Sequence, residues 1–244
     1  MYIKPIKTHK ISVSESLEDF LDQYLKDIVE GDIIAITSKI LSLMEGRVVA
    51  KDSIDKYTLI CSEADYVLES DYNPYNIHLT IKNDILIPSA GIDESNVDNV
   101  YVLYPKHIQK TASFIWNYLR NKYQINHLGI LITDSHTTIM RKGVTGIALG
   151  WCGFMPLYSY INKPDIYGRK LKVTEMNILD SLAVSSVFIM GEGNEQTPLA
   201  IIKNAPKIYF LDRIPTKDEE QSVRISLKKD LYAPLLQLGK WLKF

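Results

Sequence analysis

Short β-branched runs and longer stretches of 3.6-residue periodicity alternate along this chain. "IIAIT" (Ile33–Thr37), "VYVLYP", "LGILIT" (Leu128–Thr133), "LAIIK" and "IYFL" are continuous apolar runs bounded by polar or turn residues, which predicts strands, with "LGILIT" ending at Asp134. "YNIHLTIKNDILIPSAG" alternates apolar and polar positions on either side of Lys82-Asn83-Asp84, which predicts a hairpin. "SESLEDFLDQYL" opens with a serine suited to an N-cap and sets Leu17, Phe20, Leu21 and Leu25 at helical spacing. After Pro105, "KHIQKTASFIWNYLRNKY" puts Ile108, Ala112, Ile115, Tyr118 and Leu119 on one helix face. "VTEMNILDSLAVSSVFIMG" predicts a helix capped by Thr174, with Met176, Leu179, Ala183 and Val187 inward. "SKILSLMEGRVV" reads as a turn or short helix and then a strand from Val48, and "SEADYVLES" as a helix ending near Ser70. Gly143, Gly146, Gly150 and Gly153 punctuate an apolar segment and mark bends or close backbone approach. Helices and strands mix without a strict βαβ rhythm, an internal repeat or a linker. The pattern predicts a mixed α/β fold in one unit spanning residues 1–244.

Composition narrows the class. With 244 residues, 46% of them hydrophobic, the chain can bury a substantial core. The net charge of −1, from 28 basic and 29 acidic residues, offers no global field for nucleic acid or an anionic membrane. Cys61 and Cys152 lie far apart with no CxxC pair, which fits a reducing compartment and removes zinc-ribbon and disulfide scaffolds. No apolar run approaches the ~20 residues of a membrane span, and the N-terminus lacks an apolar signal region. A cytoplasmic protein is expected.

Four polar clusters follow apolar runs: "TSK", "GIDESN", "TDS" and "GEGNEQTP". Loops at strand ends are where a rigid sheet positions chemistry. Asp93 and Asp134 are candidate ligands for a hard divalent ion, although either also reads as a turn-capping aspartate. Ser135 could add a hydroxyl, Lys39 a point charge for phosphate, and Gly191 and Gly193 backbone N–H groups for an anion. His136 is a secondary candidate for a ligand or general base. Cys152, between Trp151 and Gly153, reads as buried and inert. Neither GxxxxGK[ST] nor GxGxxG occurs.

Taken in order, "GDIIAITSKILSLMEGRVV", "SEADYVL", "SAGIDESNV", "GILITDS", "RKGVTGIALGWCGFMPL", "DIYGRKLKVTE" and "MGEGNEQTPLAII" resemble the coenzyme F420-0:L-glutamate ligase (gamma-glutamyl ligase) family from about Lys4 to Lys203. Residues 204–244 form a less similar C-terminal extension. The resemblance implies a mixed α/β fold with two lobes in one chain, unlike ATP-grasp ligases, assembled as an intertwined homodimer. It implies a GTP-dependent reaction with Mg²⁺ or Mn²⁺ that joins a small-molecule carboxylate to the amine of L-glutamate, in F420 biosynthesis. By that analogy Asp93 and Asp134 hold one metal, and Ser135 and Glu192 a second, Glu192 standing where glutamine is usual. GTP would contact Ser38, Lys39, Asn96, Met190, Gly191, Glu192, Gly193, Asn194, Glu195, Gln196 and Thr197.

The chain departs from the family in three places. "TDSHTTIMR" stands where the family has "TDTFGRPWR", so that Thr137-Thr138 replace a Gly-Arg pair while Arg141 and Gly143 remain. Leu43 replaces the lysine of "SKAEG", and Ser38 replaces a glutamine. These changes bear on substrate more than on metal, because arginine reads carboxylate and phosphate. They leave open a ligase with a changed acceptor, a nucleotide- and metal-binding homologue without turnover, and a structural homodimer.

Overall fold

In the computed structural model, which describes residues 1–70, 73 and 75–244, β1 (Tyr2–Ile6) leads into α1 (Leu17–Tyr24). The Ser16 hydroxyl caps α1 by accepting the Asp19 amide at 3.2 Å, which satisfies a free first-turn donor. β2 (Asp32–Thr37) passes directly into α2 (Ser38–Met44), and β3 (Val48–Ala50), α3 (Lys56–Glu63) and β4 (Tyr66–Glu69) follow. The helix expected over Ser62–Ser70 is therefore corrected: α3 ends at Glu63, and the next residues pair as a strand. α3 starts earlier, at its cap Asp55, whose carboxylate accepts the Thr58 amide at 2.9 Å. Tyr66 and Val67 then find cross-strand partners, and that tertiary pairing overrides the local helical pattern.

β5 (Leu79–Lys82) and β6 (Ile85–Pro88) form the expected hairpin. Asn83 and Asp84 turn it with φ of 52° and 60°, the two-residue geometry that suits right-handed strand twist. A 3-10 turn at Ser89–Gly91 precedes β7 (Val100–Val102). α4 (Ile108–Tyr123) buries Ala112, Ile115 and Leu119, as its spacing predicts. β8 (Leu128–Thr137) and β9 (Val144–Cys152) are long antiparallel neighbours, and β8 runs past Asp134 rather than ending there. β10 (Leu157–Ser159) pairs with β11 (Glu175–Asn177) at the base of an arm, and α5 (Ile178–Met190) follows. Asn177, not Thr174, caps α5, accepting the Asp180 amide at 3.0 Å. Met176 is consequently in a strand and exposed, whereas Leu179 and Ala183 are buried as expected. β12 (Leu199–Lys203), α6 (Lys217–Gln221), α7 (Ala233–Leu236) and β13 (Lys240–Lys243) complete the chain. "IYFL" is not a strand; only Phe210 makes an isolated bridge, to Phe154.

The main sheet has the order β1-β12-β2-β8-β9, and only β2 and β8 in it are parallel. Its two faces account for the uninterrupted apolar runs. Ile34, Ile36, Ile130, Ile132 and Ile201 pack with Phe20 of α1 and Ile115 and Trp116 of α4. Ile33, Ala35, Leu131, Ala200 and Ile202 pack with Leu179, Leu182 and Ala183 of α5. Burying each large aliphatic side chain contributes about 1.5–3 kcal/mol. A second sheet has the order β13-β4-β5-β6, and β3 pairs with β7 alone.

One irregularity positions the site. The β8–β9 register shifts between Ile132 and Thr133, where Leu149 is the extra residue. Such a bulge bends the strand and re-aims the side chains beyond it. Beyond it, β9 packs closely on α5: a Cβ at Gly146 would lie 2.4 Å from the Ala183 carbonyl oxygen. The close approach expected from the glycine-rich segment is met there.

Candidate functional site

β2 and β8 run parallel, and both deliver polar residues at their carboxyl ends, where open sheets place ligands. The last β2–β8 pair is Thr37 with Thr133. β2 then turns into α2 and supplies Lys39, while β8 continues with β9 alone and presents Asp134 and Ser135.

Asp93 arrives from the other sheet. Its approach uses left-handed backbone at Ala90 (φ 54°) and Gly91 (φ 72°). Gly91 also makes room: a Cβ there would lie 2.3 Å from Cζ of Tyr104, whose ring slides beneath the turn. Asp93 is pinned to β7 by paired backbone hydrogen bonds with Val102, both 2.9 Å. Its Oδ1 accepts the Ser95 amide at 2.7 Å and the Ser95 hydroxyl at 2.8 Å. Lys39 Nζ sits 2.5 Å from Asp93 Oδ2 and donates to the Ser95 hydroxyl at 2.8 Å. "SAGIDESN" is thus a turn that holds a carboxylate towards the end of the parallel strands.

The third wall is the loop after α5. Gly191 ends the helix with φ 83°. The Asn96 side-chain amide donates to the Gly193 carbonyl at 3.1 Å, and the Thr8 amide to the Gln196 carbonyl at 2.9 Å. The Thr197 hydroxyl donates to the Met190 carbonyl. Glu195 folds back, and its carboxylate accepts the Gly193 amide at 2.8 Å, so a backbone donor assigned from sequence to an external anion here meets an internal one.

These walls enclose a cleft of about 910 Å³. It brings together Asp93, Asp134, Ser135, Glu192, Lys39, Asn96 and the whole segment Met190–Thr197. Ser38 is not on its wall; the side chain is buried at the start of α2, because successive residues of that first turn point in different directions. Sequence reasoning missed Thr8, His9, Lys10 and Ile11, which line the cleft from the loop after β1, and Tyr104. Nothing in "THKI" distinguishes it from an ordinary loop, and Tyr104 reads only as part of an apolar run. Leu43 forms an apolar part of the wall.

The carboxyls of the cleft are in unequal states. Burial lifts Asp134 to about 6, with the Asp93 charge adding to the rise and Tyr104 and the Ser135 amide opposing it. Burial also raises Glu192, against the Ser135 side chain and Lys39. For Asp93 burial is again the largest influence and upward, but Lys39 and Ser95 together bring it below its ordinary value. The buried Tyr104 hydroxyl lies beside Asp134 without closing a hydrogen bond of ordinary geometry; burial first, then Asp134, push it well above a normal phenol. Burial lowers His136 below the ordinary imidazole value, and Asp180 on α5 opposes that fall. Burial pushes the Cys152 thiol to about 12, which fits an inert core cysteine.

Three carboxyl groups therefore face one cleft with Lys39 as the cation acting on each of them. Among the described residues no three His, Cys, Asp or Glu side chains form a ready-made metal cage. The donor set instead suits a hard divalent ion that keeps water and takes substrate oxygens, because such ions bind through one or two carboxylates.

Replacing Lys39 by methionine is expected to let burial lift Asp93. The Asp93 carboxyl is depressed in the folded state, so its support is present above the ordinary aspartate range and is lost as pH falls through the depressed value. Because the pair is partly exposed, the loss of stability at pH 7 should be no more than about 1 kcal/mol. Denaturant titration of both proteins at pH 7 and pH 3 checks this: the difference should shrink at the lower pH.

The sheet and its loops define a mixed α/β fold with a polar cleft at the carboxyl ends of its two parallel strands. Residues 5–204 match the family described as F420-0:Gamma-glutamyl ligase, and the chain belongs to it; it is a ligase. The chain is 31% identical over 207 residues to the coenzyme F420:L-glutamate ligase of Methanocaldococcus jannaschii, covering 78% of this chain and 81% of that one. It is 31% identical over 209 residues to the same-named protein of Methanococcus maripaludis strain C7, covering 78% and 82%. With that of Archaeoglobus fulgidus it shares 26% over 219 residues, covering 83% and 88%. No described helix is long and apolar enough to cross a membrane.

Proposed function

We propose that the chain is a GTP- and divalent-metal-dependent amide ligase that joins a small-molecule carboxylic acid to the amine of L-glutamate. One observation carries the reading: Asp93, Asp134, Ser135, Glu192 and Lys39, drawn from four separate segments, line one cleft opposite the Met190–Thr197 loop. The relatives' names supply L-glutamate and ligation.

The γ-phosphorus–oxygen bond of GTP breaks as the acceptor carboxylate oxygen bonds to phosphorus, giving GDP and an acyl phosphate. The glutamate amine, having lost a proton to solvent, then attacks the acyl carbon. The acyl C–O bond to phosphate breaks, the nitrogen gives its second proton to the departing phosphate, and inorganic phosphate leaves with the amide formed. Asp93 and Asp134 would hold Mg²⁺ or Mn²⁺, and Ser135 and Glu192 a second ion. When bound, such ions neutralise charge on the phosphate oxygens. Lys39 supplies a fixed positive charge beside Asp93, and Asn96 ties the aspartate loop to the Met190–Thr197 loop so that the two walls keep their spacing. An intertwined homodimer of two-lobed chains belongs to the same reading. The arm between β10 and β11 supports it by leaving Ile166 and Val173 91% and 84% exposed.

Incubation with GTP, Mn²⁺, L-glutamate and either F420-0, the acceptor in the family's description, or a panel of carboxylic acids is expected to release GDP only when an acceptor is present, and to add glutamate to it. A second reading, a nucleotide-binding homologue without turnover, is favoured by Leu43 on the cleft wall where the family carries lysine. It predicts calorimetric GTP binding with no acceptor-dependent GDP at any acid tested.

A further inference from the structure

Tyr104 is 3% exposed and is held at both ends. The hydroxyl-bearing end of its ring passes over Gly91: a Cβ there would lie 2.3 Å from Cζ, 2.4 Å from Cε1 and 2.7 Å from Cε2. At the backbone end, the Tyr104 carbonyl accepts Arg47 Nε at 3.1 Å, and the same guanidinium donates to Glu63 at 2.8 Å. The neighbouring Leu103 amide donates to the Arg47 carbonyl at 3.0 Å. A ring packed and anchored in this way has one direction for its hydroxyl, and the fold sets that direction.

Packing alone asks only for a phenylalanine at this place. The hydroxyl is a cost, because a buried O–H without an acceptor has given up its water for nothing. Among the described residues, four side chains carry a buried polar atom without a hydrogen-bond partner: Ser42, Tyr104, Trp151 and Ser186. Ser42 and Ser186 lie within α2 and α5, and Trp151 in the core beside α5. Tyr104 differs in what its hydroxyl meets. It lies against the Asp134 carboxyl, and Asp93 is a further charge acting on it. The Ser135 amide reaches the same Asp134 carboxyl. An ionised carboxylate can only accept, and a phenol has one proton to donate, so the roles in this contact are fixed.

We infer that Tyr104 is a positioning residue: its hydroxyl donates to the Asp134 carboxylate from beneath the cleft and fixes the direction in which that carboxylate faces when the cleft holds a divalent ion. This deepens the ligase reading and rests on its assignment of Asp134 to the ion. Tyr104 is not on the cleft wall and acts only through Asp134. A donor behind a ligating carboxylate narrows its orientations and leaves its remaining acceptor positions to the ion; such partners are worth about 10- to 100-fold in metal affinity. Gly91 is then the residue that admits the donor, since any side chain there would occupy the place of the ring's hydroxyl end.

The test compares the full chain with Tyr104→Phe, which keeps the ring and removes only the hydroxyl. With Mn²⁺ alone, calorimetry should give an affinity about 10-fold or more lower in the variant. Without metal, the variant should melt at the same temperature or higher, because the hydroxyl it lacks is unpaired in the resting fold. Adding Mn²⁺ should change the tyrosine ultraviolet absorption of the natural chain and not that of the variant, since no tyrosine among the described residues lines the cleft. Unchanged Mn²⁺ affinity, or an ultraviolet change that persists in the variant, overturns the inference. So does a lower metal-free melting temperature, which would make the hydroxyl a bond of the resting fold. If Mn²⁺ affinity falls as described but no acceptor supports GDP release from GTP, Tyr104 keeps its role towards Asp134 and the ligase reading fails. If F420-0 is extended with glutamate while Tyr104→Phe binds Mn²⁺ as the natural chain does, the positioning role falls alone.

Discussion

Asp134→Asn is expected to lower acceptor-dependent GDP release by about 10²-fold or more and, at the same time, to stabilise the metal-free protein at neutral pH. The loss follows from removing a charge that the reading above assigns to cation binding at the transferring phosphate. The gain follows from burial. The Asp134 carboxyl is raised to about 6 in the folded chain, against an ordinary value of 3.8. The folded state therefore holds this proton more tightly than the unfolded one. Stability falls as pH rises from about 4 through about 6, and above that range the full penalty of a buried, charged carboxylate is present. Asparagine has the same shape and carries no such penalty. At pH 7.5 without metal, the variant should melt about 2–4 °C higher for each kcal/mol relieved, and the two proteins should converge near pH 4. Adding Mn²⁺ should raise the melting temperature of the natural protein and leave the variant unmoved. Retained turnover would remove Asp134 from the reaction; a variant that melts lower at pH 7.5 would remove the burial penalty.

Gly91→Ala is expected to destabilise the chain by about 2–4 kcal/mol and to abolish turnover with it. Two effects act together. The residue sits at φ 72°, where a Cβ is strained, and that Cβ would lie 2.3 Å from the Tyr104 ring. Tyr104 is walled in by the core, so the turn must move instead, and Asp93 lies two residues further on. Combining Gly91→Ala with Tyr104→Leu removes the ring atoms and should recover more than half of the lost stability, leaving the backbone strain. Denaturant midpoints of the two single variants and the double variant measure that coupling. Additive losses would show that the ring is not what Gly91 accommodates.

The contrast between these two residues shows what sequence could reveal. Asp134 follows "LGILIT", an apolar run that predicts a strand, and a carboxylate at such a place is visible as candidate chemistry. Asp93 needed the same inference across a glycine turn, and Lys39 lies two residues past the end of β2, in the first turn of α2. Their meeting was not visible, because it depends on which strand lies beside which. Ser38 shows the reverse error. It is adjacent in sequence to a cleft residue, but the first turn of α2 points its hydroxyl into the core. Likewise, "SEADYVLES" looks helical alone and becomes a strand because β5 and β13 offer it partners.

The amino-acid sequence by itself determined the apolar runs that become the main sheet, the hairpin turn at Asn83-Asp84, the faces of α1 and α4, and the family to which the chain belongs. Those features rest on local spacing, turn chemistry and burial, which act over a few neighbouring residues. Only the tertiary structure decided that Lys39, Asp93, Asp134 and Glu192 face one cleft, that Tyr104 lies beneath it, and that the C-terminal segment returns as β13 on the edge of β4. Each of these depends on contacts between distant segments, fixed by strand order and by a one-residue bulge in β9 that no local pattern encodes.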